Sequence, residues 1–600
     1  MGRAGGAGRP PAAPLSGELT HTLLEAILGA QLDTDSGRRM WRLTRGNVLF
    51  LKHLADGELA AGRLRETGGV WRWAGTPELT PTLAELVGAR MGALPEAERD
   101  VVDVLALGEP LDVDLLGRLT DPAAVEQTES RGLVQVEQAD SRLQARLAHP
   151  LYGETRRSRI GVLRGRRLRG RIATALAGPG GADLLRRAVL TLESDLEPDA
   201  GLFTEAGIDA IRLLDLGLAE RLSRASIAAA DSSEARHALA YALGWQGRGA
   251  EADAELAAAA NLARSDPERA VIATSRGGNA FFIMSDPAKA EADLVRARGT
   301  VTDPSGALTA LHALFDAFLA RPDSAEERAR SVLALPEPGD RALVLASWGL
   351  AGALGPTGRL DDYGEAEGRG YAAVARAHDG RALSFGMGWV HLAGLRLAGR
   401  LDDGDALVRT LREASAGAVG SIVPMGVCLE AWADLARGRL RRAVRAFREV
   451  RSGFAQVDVG GWLFTSLLGL TPALAWAGDA AAARAALTEL EAHTHPAFVL
   501  AAPDIGLARA WTAAAEGALS EAAAHAHEAA RLAAERGQAA YEAYALHTVV
   551  RLGGHGVADR LVALAGRVQG PRPRRARADR GHGGGQAAEP GAQGAGVAAP

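Results

Sequence analysis

The chain has 600 residues, a formal net charge of −5 and 47% apolar residues, enough for several domains with their own cores. Charge this close to balance argues against a polyanion binder or a membrane-surface protein, and aromatics at 4% leave alanine to do much of the packing. Cys428 is the only cysteine, which excludes an intrachain disulfide and points to a reducing cytosol.

Residues 1–14 are a Gly/Pro/Ala segment whose composition predicts disorder, with no apolar stretch of the kind a secretory signal needs. Residues 15–95 read as a helical lid. LTHTLLEAILGA, DSGRRMWRLT and GNVLFLKHLADGELA are helices, and GGVWRWAG is a short ribbon with Trp71 and Trp73 on one face. PTLAELVGARMGAL returns to helix.

Residues 96–175 have a different cadence: the helices EAERDVVDVLALG, VDLLGRL and PAAVEQTESRG, the strands LVQVEQ and SRLQARLAH, and a helix from Pro150. Three helices and a hairpin are the order of a winged helix. Its third helix carries Glu126 and Glu129 against Arg131 alone, so a packing module is expected rather than a DNA reader. Arg156, Arg157, Arg159, Arg164, Arg166, Arg167, Arg169 and Arg171 follow and are read as a solvated helix face.

From 176 to 570 apolar helices alternate with glycine breaks. Gly358, Gly399, Gly438, Gly478, Gly517 and Gly553 recur roughly 40 residues apart, the mark of stacked helical hairpins. VHLAGLRLAGRLDDGDALVRTLREA and CLEAWADLARGRLRRAVRAFREV are two such units. One hairpin cannot bury its apolar stripe alone, so the units are expected to stack into a solenoid with a long concave face that recognises a protein, peptide or small signal. The apolar run at 342–355 is too short to span a bilayer. Residues 571–600 have no apolar period and read as a disordered tail. The expectation is a soluble, cytoplasmic, mainly α protein: a helical lid and a winged-helix module followed by a TPR-like α-solenoid.

Catalytic motifs are not found. Lys52 and Lys289 are the only lysines and neither follows a glycine, so the phosphate-binding GxxxxGK loop is missing. GRGAEA at 247–252 joins two helices and reads as a repeat turn. His527-Glu528 opens a zinc-protease pattern, but Arg531 stands where the second histidine belongs, and His525 lies on another face. His493 and His495, near a helix end, are read as solvated. Cys428 is read as a buried inert thiol. Asp402, Asp403 and Asp405 are read as helix-capping carboxylates. Neither an enzyme nor a metal site is expected.

Four stretches carry a resemblance: MWRLTRGNVLFLKHL at 40–54, GGVWRWAG at 68–75, LALGEPLDVDLLGRL at 105–119 and RLAHPLYGE at 146–154. In order and register over 15–570 the chain resembles the large ATP-dependent LuxR-type transcriptional regulators of actinobacteria, STAND-class proteins of the maltose-regulator type. The resemblance implies a switch built from a P-loop ATPase core, lid, winged helix, repeat sensor arm and C-terminal helix-turn-helix. This chain matches the part from lid to arm, without the P-loop core or the helix-turn-helix. Gly46 and Asn47 match the lid Gly-Asn that approaches the nucleotide, with Val48 where the family has proline. His149 aligns with the winged-helix histidine that reaches the ADP β-phosphate. The implied cofactor is none in this chain, and ATP or ADP only with a P-loop core. The implied partners are an inducer (small molecule or protein) on the array, DNA only through a domain not in this chain, no membrane, and further copies of the chain. The alternative is a stand-alone helical-repeat adaptor between proteins.

Overall fold

Helices dominate the computed structural model, which describes residues 14–75, 79–139, 142–177, 183–414, 423–455 and 457–568. The N-terminal segment up to residue 13 and the tail at 571–600, both expected to be disordered, lie outside the described residues. The N-terminal unit, expected to be a lid and labelled so for that reason, holds α1 (Gly17–Leu28), β1 (Gln31–Leu32), α2 (Thr34–Thr44), α3 (Val48–Ala60), β2 (Leu64–Thr67), β3 (Val70–Trp73) and α4 (Pro81–Met91). Side chains start the first three helices: Ser16, Asp33 and Asn47 each accept backbone N–H groups of the first turn. The ribbon turns at Gly68 and Gly69, both with positive φ. β1 adds to β3 in parallel, with Gln31 opposite Val70. Two residues are too few to leave a period, so the sequence does not announce this strand.

The next unit is α5 (Glu96–Gly108), β4 (Leu111–Asp112), α6 (Val113–Leu119), α7 (Pro122–Ser130), β5 (Val134–Ala139), β6 (Arg142–Leu147), α8 (Pro150–Arg157) and α9 (Val162–Ala175). The sheet order is β4-β6-β5, antiparallel throughout. One hydrophobic core runs through lid and winged unit together, from Leu24, Leu51 and Trp73 to Val101, Leu147 and Ile172. The arginine-dense segment is a solvated face only in part: Arg157, Arg159, Arg166, Arg167 and Arg171 are exposed, while several of the eight are bound to the fold. Arg156 pairs with buried Asp103 at 2.7 Å, and Arg164 reaches Asp100 at 2.6 Å. Arg166 donates to the Ser194 carbonyl and Arg169 pairs with Glu193, both just beyond the first array helix, Leu184–Leu192. These guanidinium groups tie the winged unit internally and to the array, through the buried Asp103, the partly exposed Asp100 and Glu193, and the Ser194 carbonyl beyond a helix end.

Hairpins then repeat to the helix Ala558–Ala565. The six break glycines all sit at φ between +68° and +83°, the left-handed conformation that ends a helix. At Gly478 its N–H bonds the Ala475 carbonyl at 3.1 Å and the Asp479 N–H bonds the Leu474 carbonyl at 3.1 Å, closing the helix Trp462–Trp476. The 342–355 run lies in the helix Asp340–Thr357, buried on almost every side. A Cβ on Gly355 would lie 2.9 Å from the Cα of Gly394, so this helix and Gly380–Leu397 cross glycine on glycine. No described helix is long and apolar enough to cross a membrane. Cys428 is fully buried, as expected, and burial pushes its thiol pKa up. Asp402 and Asp405 pair with Arg437 of the next unit and Asp403 with Arg400.

The expected long concave face is largely closed. The array winds tightly enough for distant units to touch across the superhelix axis. His495 Nε2 lies 2.9 Å from the Phe282 carbonyl, 213 residues away in sequence, and 3.0 Å from Ser285 Oγ. His495 is therefore half-buried and structural, not solvated, and burial holds its pKa down. A continuous core runs from Ala210 to Ala508. The lid docks on the outside of this body, on the helix Leu440–Phe454. Glu449 accepts from the Thr34 N–H at 2.9 Å and Thr34 Oγ1 at 3.1 Å. Arg445 pairs with Glu25 at 2.5 Å, and Gln31 donates to its carbonyl.

Candidate functional site

Where the turns of the array close on one another they leave a chamber. It encloses about 1000 Å³ of empty space, its open mouth included, and takes its walls from units far apart in sequence. The helix Ser233–Gly244 supplies Tyr241, Asp266–Gly278 supplies Thr274, Ser275 and Gly278, and Ala307–Phe318 supplies Leu311 and Phe318. Asp340–Thr357 gives Arg341 and Trp348, Gly380–Leu397 gives Trp389, and Trp462 and Phe498 close the far side. Aromatics are 4% of the chain, yet here they are eight of the 24 wall residues, so the sparse large side chains are concentrated at this place.

Local geometry explains how they converge. After Gly278 the helix widens into a π-turn, Asn279–Ile283, a distortion frequent at functional sites. It sends the adjacent Phe281 and Phe282 to different partners. Phe281 stacks on Phe315 with ring centroids 4.0 Å apart, and Phe282 lies nearly parallel to Trp348 at 5.7 Å. Phe318 and Phe498 meet Phe282 edge-on at 5.0 and 6.3 Å. Trp348 can lie there because residue 386 is glycine: a Cβ would stand 2.3 Å from the indole ring. Gly278 differs, since a Cβ there meets nothing within 4 Å.

The polar wall is small and neutralised. Ser275 Oγ receives Arg341 Nη1 at 2.8 Å and lies 2.8 Å from His237 Nε2, so its proton is free to go to the imidazole. Burial, then the charge of Arg341, holds the His237 pKa down to about 3, so the ring is neutral. Arg341 is paired with buried Asp379 at 3.2 Å. Asn279 Nδ2 donates to the Gly249 carbonyl at 2.9 Å, which fixes the amide and leaves Oδ1 without a partner. Trp348 Nε1 likewise has no acceptor.

The residues expected near a nucleotide come together elsewhere, where the turn between α2 and α3 meets the start of α8. Gly46 has φ +73°, and a Cβ there would lie 2.0 Å from the Leu15 carbonyl oxygen. Asn47 Oδ1 accepts the N–H groups of Leu49 and Phe50 at 3.1 and 3.2 Å. His149 Nδ1 accepts from the Leu151 N–H at 3.2 Å, and its ring stands edge-on to Phe50 at 5.3 Å. Burial, then the nearby Arg45 cation, pushes the His149 pKa down to about 4, so it is neutral. Arg45 ties the two turns by donating to the Ala148 carbonyl at 3.1 Å.

One trio with metal-ligand chemistry occurs among the described residues: Glu291, His312 and Asp316, with ligand atoms within 4.8 Å of one another. Arg321 bonds both carboxylates, Arg328 bonds Asp316 at 2.8 Å, and Arg298 contacts His312 Nδ1 at 3.0 Å. Three guanidinium groups already supply the positive charge a metal would bring.

Sequence reasoning missed the chamber. Its local signal is GGNAFF at 277–282, two glycines inside a helix followed by paired phenylalanines. Nothing in that string says that Phe498 will close over it.

No family model matches the chain, and no curated protein matches it. Among solved structures, a STAND protein with a tetratricopeptide repeat sensor from Pyrococcus horikoshii aligns over 80% of this chain and 72% of its own, at 14% identity and a TM-score of 0.31. A Rap protein complexed with competence and sporulation factor aligns over 61% of this chain and 99% of its own, at 8% identity and a TM-score of 0.36.

Proposed function

We propose that this chain is the sensory and regulatory part of a LuxR-type transcriptional regulator, acting by binding and not by catalysis. The inducer enters the chamber, and the lid carries the response. The observation behind this reading is the position of one helix pair. Trp462–Trp476 contributes Trp462 and Thr465 to the chamber wall, and the helix packed before it, Leu440–Phe454 of the neighbouring unit, carries Glu449 and Arg445, which hold the lid. The two helices are in close register: a Cβ on Gly469 would lie 2.2 Å from the Phe447 ring. Movement of the wall helix is thereby passed to the surface on which the lid rests. Gly46, Asn47 and His149 belong to the same lid–winged junction. In a regulator with a P-loop core they would face its ATP or ADP, and DNA would be met by a further domain.

The test is hydrogen exchange. A metabolite library is screened by thermal shift on the full chain, and each stabilising compound is followed in the exchange of β3 and α2. The reading expects compounds that raise the unfolding temperature and also change lid protection. Stabilisers that leave the lid untouched would refute it. A second reading, a protein adaptor, is favoured by Val162 and Leu163, 77% and 84% exposed at the start of α9. It expects protein capture that is lost in Leu163→Asp and unaffected by chamber ligands.

A further inference from the structure

A second cavity opens where the lid rests on the array. It is a groove of about 1710 Å³ of empty space, open solvent included. One wall is α2, which brings Thr34, Arg38 and Arg42. The other is built by the helices Val423–Ala436 and Leu440–Phe454, the second of which brings Arg442, Arg445 and Glu449. Arg412 joins them from the end of the helix Leu401–Ala414. Arg38 and Arg42 are four residues apart, so both stand on one face of α2. Arg442 and Arg445, three apart, share a face of their own helix in the same way.

The chain as a whole has a net charge of −5, yet this groove gathers five guanidinium groups against three carboxylates. The carboxylates are already engaged. Asp434 holds Arg442 at 3.1 Å and Arg439 at 3.2 Å. Glu430 faces Arg412 at 3.7 Å, and Glu449 takes the Thr34 N–H and hydroxyl. Burial raises the pKa of both glutamates, which weakens them as answers to further cations. On α2 it is Arg39 that pairs with Asp35, while Arg38 and Arg42 form no ion pair among the described residues and are exposed. Cations thus line the groove from both sides, and two of them are unanswered. Guanidinium groups meet phosphate and carboxylate oxygens with paired N–H bonds. None of the described lining residues is aromatic, so the groove offers no stacking platform for the bases of a nucleic-acid strand. We propose that this groove binds a small multivalent anion, of phosphate or carboxylate chemistry, that bridges Arg38 and Arg42 to Arg442 and Arg445. An anion held from both sides ties α2 to the array. The site is separate from the chamber and does not depend on the sensory reading.

The full chain is titrated by calorimetry with orthophosphate, tripolyphosphate and citrate. At least one of the two larger anions is expected to bind about tenfold more tightly than orthophosphate, the worth of one further charge-assisted contact. Tripolyphosphate ahead of citrate assigns the site to phosphate chemistry, and citrate ahead assigns it to carboxylate chemistry. Replacing Arg38 and Arg42 together by alanine removes two exposed, unpaired side chains. It should weaken the tighter anion about tenfold and leave the unfolding temperature unchanged. Replacing Arg441 and Arg448 together by alanine is the control. These are exposed arginines of Leu440–Phe454 outside the groove, and binding should stay nearly as in wild type. The bridge itself is read in hydrogen exchange, where the bound anion should slow the α2 amides of wild type and not those of the Arg38 and Arg42 variant. Orthophosphate binding as tightly as both larger anions, equal losses in the two double variants, or tight binding with α2 exchange unchanged would overturn the proposal. The two readings fail separately. Chamber ligands that leave α2 unchanged sink the sensory reading and leave this site standing. A multivalent anion that leaves α2 unchanged sinks the site and leaves the sensory reading standing.

Discussion

Glu449→Gln tests how the lid is held. The carboxylate is almost fully buried between the helix Leu440–Phe454 and the lid, and its pKa is raised from 4.5 to about 7. Desolvation is the main cause. The nearby Asp33 adds to it, while the Thr34 hydrogen bonds and Arg445 oppose it. The docked state therefore holds a proton that the undocked state releases between pH 4.5 and 7. Docking is strongest below that window, weakens as pH rises through it, and levels off above. A shift of this size is on the order of 3 kcal/mol, at about 1.4 kcal/mol per pKa unit. Glutamine keeps the shape, still accepts from the Thr34 N–H and cannot ionise, so the slope should vanish and docking at pH 8 should strengthen. The assay is hydrogen exchange of the β3 and α2 amides from pH 5 to pH 8, corrected for intrinsic exchange rates. In wild type the opening free energy should fall by a few kcal/mol over that range, and in the variant it should stay level. A level wild-type profile, or the same slope in both proteins, would refute the argument.

Other substitutions probe other parts. Gly478→Ala puts a Cβ into open space, so its cost is conformational alone, about 1–2 kcal/mol for a left-handed residue, read as a lower denaturant midpoint. Gly478→Pro cannot reach φ +83° and should melt its hairpin, visible as local loss of exchange protection. Gly386→Ala drives a methyl into the Trp348 indole and should cost about 1–3 kcal/mol while shifting tryptophan fluorescence. His149→Ala removes the cap of α8 and the edge contact with Phe50, together roughly 2 kcal/mol of lid stability in urea unfolding. With its pKa lowered to about 4, His149 supports the fold fully above its unfolded value near 6.5. That support is lost as pH falls towards 4, and a pH series on wild type against the alanine variant measures it.

The sequence by itself determined whatever depends on neighbours along the chain. The glycine breaks had to be left-handed helix ends, because no other residue type takes that conformation so cheaply. All six are. The alternation around Trp71 and Trp73 and the caps at Ser16, Asp33 and Asn47 are likewise local physics, and they placed the lid helices and ribbon. Gly46, Asn47 and His149 were grouped through resemblance, and their neighbours along the chain are in contact, Arg45 with Ala148 and Phe50 with His149. The curvature of the array was decided only in three dimensions. A small rotation per hairpin, summed over many, determines whether a solenoid stays open or closes on itself. No residue pattern records that sum. So His495 looked like a surface histidine until Phe282 came within reach, Arg156 and Arg164 looked solvated until Asp103 and Asp100 were in place, and of the chamber only the GGNAFF string was visible. Contacts between residues 213 apart in sequence close that chamber, and the stacking of every hairpin between them sets its size.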